Sequence, residues 1–165
     1  MNDAAESTTL SQKAFDRLQA ELDQLTIEGR RQVAERLQRA RELGDLSENA
    51  EYHSAKDDQA IMEARIRQIE GILRTATIAD SPVSSDKAVA GTVVSLKENG
   101  TDEVEQYLLA ASKEERANTV RTVTVNSPLG KAMLGKKVGE TVTYEAPGGT
   151  FSYQVAEIQP YDGTL

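Results

Sequence analysis

The stretch Ala40-Arg41-Glu42-Leu43-Gly44-Asp45-Leu46-Ser47-Glu48-Asn49-Ala50-Glu51-Tyr52-His53-Ser54-Ala55-Lys56 decides the fold of the first half of the chain. Before it, Phe15, Leu18, Leu22 and Leu25 recur at spacings of 3, 4 and 3, the one-face pattern of an amphipathic helix. Val33, Leu37, Ala40 and Leu43 resume the stripe, and Gly44 then reads as a helix stop. Beyond it, Tyr52, Ala55, Met62, Ile66, Ile69 and Leu73 supply a second stripe. Residues 10–76 therefore read as helix throughout, in two runs of roughly 30 residues, each ~45 Å long at ~1.5 Å per residue. A very short turn between them forces an antiparallel hairpin. Thr9 and Gln12 fit a capping box at its start. Periodicity leaves open whether the stripes meet within one hairpin, join two chains, or pack on other helices.

The pattern changes after Ile78-Ala79-Asp80-Ser81-Pro82-Val83-Ser84-Ser85-Asp86, which reads as a linker rich in Ser, Asp and Pro. Strands are predicted over 89–96, 105–111, 119–125, 141–145 and 151–158, where β-branched residues dominate. Asn99-Gly100 and Pro147-Gly148-Gly149 supply turns, the second a hairpin signal. Ser127-Pro128, followed by Leu129, Ala132, Met133 and Leu134, predicts a short helix with Pro at its first position. The fold class is thus α+β: a helical-hairpin domain over 1–80 with an acidic tip at 44–49, then a small α+β domain over 81–165.

Composition narrows the function. The chain of 165 residues has no Cys, so disulfides and thiolate metal sites are excluded. No apolar run approaches the ~18 residues that span a bilayer, and acidic Met1–Glu6 reads as a flexible terminus without a signal region. The expected compartment is the cytoplasm. Residues 1–80 hold 11 Lys and Arg against 16 Asp and Glu, and residues 81–165 hold 8 against 11, together the net charge of −8. Neither half carries the clustered cations of an independent, sequence-specific nucleic-acid binder. Arg30, Arg31, Arg36, Arg39 and Arg41 form a local basic cluster on the first helix. Ion pairing with Glu28, Glu35 and Glu42 accounts for it as readily as phosphate contact.

Asp45 and Glu48 have two readings. Asp45 at the N-cap with Glu48 at the third helical position makes a D-x-x-E capping box, and carboxylates there also complement the helix dipole. Alternatively, two carboxylates three positions apart at the end of a hairpin reach one hard cation. Mg²⁺ is commonly held by one or two protein carboxylates, with the shell completed by water and phosphate. Such a pair is too weak a site alone, but it can complete one supplied by another macromolecule. His53 would make a metal triad with them, although an exposed tip offers no pocket that excludes water. No nucleophile triad, phosphate loop or dinucleotide fingerprint accompanies these residues.

The segment 40–56, with Gln59 just after it, resembles the tip signature of the bacterial Gre transcript-cleavage factors. Val125-Asn126-Ser127-Pro128-Leu129-Gly130 and Leu134-Gly135-Lys136-Lys137-Val138-Gly139-Glu140 resemble that family's second signature, and 144–149 its closing hairpin. The resemblance runs over 8–161 in order and spacing, and the acidic balance is closer to the less basic branch of the family.

The resemblance implies a factor that inserts its hairpin into the secondary channel of RNA polymerase when the enzyme has backtracked and extruded the RNA 3′ end. Asp45 and Glu48 would help hold the second Mg²⁺ and its attacking water in the polymerase active site. The polymerase would supply the main catalytic aspartates, so this chain would catalyse nothing alone. Arg41 and Lys56 would contact the extruded RNA, with Tyr52 and His53 in supporting roles. The C-terminal domain would adopt an FK506-binding-protein-like fold that docks on the polymerase through the Ser127–Pro128 region. Two alternatives are a channel-binding regulator that does not promote cleavage and a structural coiled-coil adaptor.

Overall fold

A computed structural model of the chain describes residues 8–79 and 86–162. Met1–Ser7 and residues 80–85 lie outside the described residues, and with them fall the expected flexible terminus and most of the expected linker. The chain forms two compact units: Phe15–Ala76, and Thr8–Ala14 together with the residues from Thr77 onward.

The first unit is the helical hairpin. Helix α1 (Gln12–Gln24) runs through one π-helical turn (Leu25–Gly29) into α2 (Arg30–Glu42), and α3 (Ala50–Thr75) returns antiparallel to it. The apolar stripe explains the π turn. Leu18, Leu22 and Leu25 are followed by Val33, Leu37 and Ala40, one residue later than a seven-residue repeat requires. A single π turn absorbs one extra residue, and the Arg30 N–H accordingly reaches back to the Leu25 carbonyl. Beyond the turn, Val33 and Leu37 are buried with Ala55, and Tyr52 and Met62 pack against them. Helix α2 ends as its sequence predicts: Leu43 caps it, and Gly44 takes φ 84°, the left-handed conformation that glycine adopts at little cost.

The second unit is built on a five-stranded sheet in the order β5-β4-β3-β7-β6, from β3 (Thr92–Glu98), β4 (Val104–Ala110), β5 (Arg121–Thr124), β6 (Thr141–Ala146) and β7 (Gly149–Pro160). All five predicted strands are present with shifted ends. Pairing is antiparallel except between β4 and β5. The β6–β7 hairpin turns at Pro147-Gly148, with Ala146 opposite Gly149. Opposite β3, strand β7 carries a bulge that leaves Ala156 outside the register, a device that bends a long strand. The short helix α4 (Pro128–Met133) starts as expected at Pro128, capped by Ser127. It covers one sheet face, where Val94, Leu96, Tyr107, Leu109, Met133, Val142 and Val155 form the core. Burying each large aliphatic side chain there contributes about 1.5–3 kcal/mol relative to leaving it in water.

The structure corrects two expectations at the ends of the hairpin sequence. Thr9–Leu10 (β1) and Thr77–Ile78 (β2) are parallel strand partners, so residues 10–76 are not helix throughout and the linker does not begin at Ile78. With Thr9 in a strand, the cap of α1 is Ser11: its Oγ accepts the Ala14 N–H at 3.1 Å. Gln12 is then the first residue of the helix rather than its third. Glu115, buried and distant in sequence, instead accepts the Ser11 N–H at 2.6 Å and the Ser11 hydroxyl at 2.7 Å. Two carboxylate bonds compensate for desolvating that charge.

Gly130 gives a direct test of how α4 packs. A Cβ at this position would lie 1.9 Å from the Thr124 carbonyl oxygen, so Gly130→Ala must displace the helix from β5. It should destabilise the second unit by about 3 kcal/mol, at the upper end of overpacking. Urea unfolding followed by tyrosine fluorescence checks this, since four of the five tyrosines lie at 107 or beyond.

Candidate functional site

The loop between α2 and α3 runs from Leu43 to Asn49 and is held together by polar side chains. Asn49 caps α3: its Oδ1 accepts the Tyr52 N–H at 3.0 Å. Its Nδ2 donates back to the Ala40 carbonyl at 2.7 Å and to the Gly44 carbonyl at 3.3 Å. Asp45 therefore does not cap the helix, and Glu48 lies before the helix rather than at its third position, so the capping-box reading of this pair is overturned. Asp45 Oδ1 accepts both the backbone N–H (3.2 Å) and the hydroxyl (2.8 Å) of Ser47, a local turn typical of aspartate. Asp45 Oδ2 and both Glu48 oxygens make no hydrogen bond among the described residues, and both side chains are exposed. The carboxylates stand in solvent on the same short loop.

His53 supports this loop from the first turn of α3. Its Nε2 lies 3.2 Å from the Ser47 carbonyl, and its ring meets Tyr52 edge to face at 5.9 Å. Among the described residues, no group of three or more His, Asp or Glu side chains is arranged to hold a metal ion. Two exposed carboxylates thus lie on one loop, and neither is used by the helix cap.

The basic cluster divides. Arg30 pairs with Glu63 at 2.8 Å, Arg31 with Glu28 at 2.6 Å and Glu35 at 2.5 Å, and Arg36 with Asp58 at 2.6 Å and Glu51 at 3.0 Å. Asp58, then Glu51, raises the Arg36 pKa above its ordinary value. Arg30 in turn holds the Glu63 carboxyl below its own. The pairs of Arg30 and Arg36 cross the hairpin, whereas the sequence had suggested partners on the same helix. Arg39 and Arg41 have no carboxylate partner among the described residues. Arg41 lies 6.0 Å from the centre of the Tyr52 ring, at the outer reach of a cation–π contact. Exposed Lys56 donates to Gln59 Oε1 at 2.8 Å.

In the second unit, Ser127 Oγ donates to the Thr124 carbonyl at 2.8 Å and accepts the Gly130 N–H at 3.1 Å. Pro128 is exposed. Both line an open groove of about 430 Å³, together with Thr122, Leu129, Tyr144 and Pro147. The residues that sequence reasoning missed are Asn49 and Ser47. Asp45, Ser47 and Asn49 are all good helix-capping types within five residues, and only the three-dimensional turn shows which one caps.

Residues 8–78 match the family described as "Transcription elongation factor, N-terminal", and residues 83–160 match "Transcription elongation factor, GreA/GreB, C-term". Two proteins named transcription elongation factor GreA are each 41% identical to this chain over 94% of its length. One, from Saccharopolyspora erythraea, is covered over 96% of its length, and the other, from Chloroherpeton thalassium, over 98%. The crystal structure of GreA factor homolog 1 from Thermus thermophilus is 28% identical, with a TM-score of 0.44 over 93% of this chain and 99% of that one. Among the described residues, no helix is long and apolar enough to cross a membrane.

The cap assignment makes a clean comparison. Asn49→Ala should destabilise the start of α3 by about 1 kcal/mol, while Asp45→Ala should leave thermal stability within error. Thermal denaturation of the two variants, followed by helical circular dichroism, separates them. Equal losses would restore Asp45 as a cap.

Proposed function

The chain belongs to the GreA/GreB family of transcription elongation factors, and from that premise we propose that it stimulates RNA polymerase to cleave backtracked RNA. The observation that carries this reading is that Asp45 and Glu48 are exposed together on the α2–α3 loop while Asn49 performs the capping they were expected to share. Free carboxylates at the end of a hairpin are what a cation-delivering tip requires, and helix stability has no need of them.

In this reading the hairpin enters the secondary channel of the polymerase, and Asp45 and Glu48 add two oxygen ligands to a Mg²⁺ that the polymerase also holds. The chemistry supplied by that ion when bound is activation of a water and stabilisation of charge on the leaving oxygen. Arg41, held near the Tyr52 ring, and Lys56, one turn beyond Tyr52, face the extruded RNA 3′ end and contact its phosphates. The Ser127–Pro128 groove docks on the polymerase. The bond-breaking residues are the polymerase's own, and the factor works in the cytoplasm beside it. The unspent carboxylates favour this reading over a channel blocker or a coiled-coil adaptor, neither of which uses them.

Adding the protein with Mg²⁺ to a halted polymerase complex should shorten the transcript. If the complex shortens no faster with the protein than without it, the reading fails. Asp45→Asn should keep thermal stability and polymerase binding yet slow cleavage about a hundredfold or more, the scale of removing one preorganised electrostatic interaction. Full cleavage by that variant would end the metal-delivery role.

Replacing Arg41 and Lys56 together with Ala should weaken action on backtracked RNA. It should also reduce the salt slope of that activity by about 1 for each phosphate that the two cations neutralise. Cleavage measured across a potassium chloride series decides it, and an unchanged slope would return both residues to a structural role.

A further inference from the structure

We propose that Asn49 is a positioning residue for the acidic pair, its carboxamide fixing where Asp45 and Glu48 stand. This rests on the reading of those carboxylates as Mg²⁺ ligands. The loop that carries them has almost no packing to hold it: every residue from Arg41 to Glu48 is exposed, with Leu43 at 78% and Leu46 at 43%. Asn49 is the one half-buried residue of the turn, and it joins three segments. Nδ2 reaches Ala40, in the last turn of α2, and Gly44, in the loop, while Oδ1 takes an N–H from the first turn of α3. Helix ends leave backbone groups without partners, and this single side chain serves such groups on both helices.

Residue type decides what can replace it. Ser and Asp cap a helix about as well as Asn, but neither offers the two amide N–H donors that reach Ala40 and Gly44. Asparagine at this point therefore does something that capping alone does not demand. His53 adds a second tie on Ser47, whose N–H and hydroxyl in turn hold Asp45. Fixing the two ends of the loop and its middle sets the direction of the Asp45 carboxylate and the backbone position from which Glu48 extends, before any partner is met. Metal and catalytic constellations work only within about 0.5 Å of their productive geometry.

The test compares Asn49→Ser and Asn49→Asp, which keep the cap and remove the donors, with the unaltered protein and with Asp45→Asn. Thermal denaturation should show Asn49→Ser slightly less stable than the parent, and Asn49→Asp less stable again because its carboxylate would face the Ala40 and Gly44 carbonyl oxygens. Amide hydrogen exchange at Gly44 and Ser47 of the free protein, the loop amides that are hydrogen-bonded, should quicken about tenfold. Cleavage of a halted complex at saturating factor should slow by about ten- to a hundredfold. The factor concentration giving half-maximal cleavage should stay the same, and added Mg²⁺ should partly restore the Asn49→Ser rate. Wild-type cleavage by both variants overturns the proposal. So does slowed cleavage with unchanged loop exchange, which makes Asn49 a direct participant, or a parallel loss of polymerase affinity, which makes it a docking residue. Should Asp45→Asn also cleave normally, the underlying reading falls. If Asp45→Asn is inactive and Asn49→Ser is fully active, only the positioning role falls.

Discussion

The hydrogen bond from Asn49 Nδ2 to the Ala40 carbonyl, 2.7 Å long, closes a chain reversal that has no core beneath it. Two helices side by side bury one stripe each, and at their common end that stripe runs out: Ala40 is fully buried, whereas Leu43 is 78% exposed. Past Ala40 the chain has only polar contacts with which to turn. It uses a left-handed glycine at 44, a local aspartate turn at 45–47 and the carboxamide of Asn49. Each is short-range and each leaves side chains pointing into water.

That economy is what frees the acidic pair. A carboxylate that caps a helix is committed to backbone N–H groups and to the helix dipole. Moving the cap to Asn49 leaves Glu48 with no such commitment and Asp45 with one engaged oxygen. The same separation of duties appears among the arginines. Arg30, Arg31 and Arg36 are tied to carboxylates, those of Arg30 and Arg36 across the hairpin, while Arg41, nearer the loop, is not. Fixed pairs in the body and uncommitted charge at the end are what the proposed function asks of the hairpin.

The second unit follows a different logic, in which sequence-distant residues are held together by burial. Its core unites β3, β4, β6, β7 and α4, and Glu115 reaches 104 residues back along the chain to Ser11. Here a buried carboxylate holds Ser11, the cap of α1, and the exposed groove beside Ser127 and Pro128 is left open.

Much of this was legible in the sequence. The 3-4-3 spacing marked the first helix and the stripe from Tyr52 to Leu73 the second, the glycine at 44 ended the first, β-branched runs and Pro-Gly placed five strands and a hairpin, and Ser127-Pro128 started α4. These signals are local: each depends on residues within one or two turns of one another. The turn between the helices falls at Leu43–Asn49, but the capping residue was not legible, because Asp45, Ser47 and Asn49 have nearly equal capping propensities and local energy does not choose among them. The choice was made by the Ala40 carbonyl on the other helix, which only Asn49 reaches. The parallel pairing of Thr9–Leu10 with Thr77–Ile78, the Glu115 bond to Ser11 and the cross-hairpin partners of Arg30 and Arg36 were hidden for the same reason. Sequence by itself determined the long helices, the strands of the five-stranded sheet and which residues lie at the turn; tertiary structure decided the pairing of β1 with β2 and which polar groups hold the turn and which remain free, since that depends on partners outside the local segment.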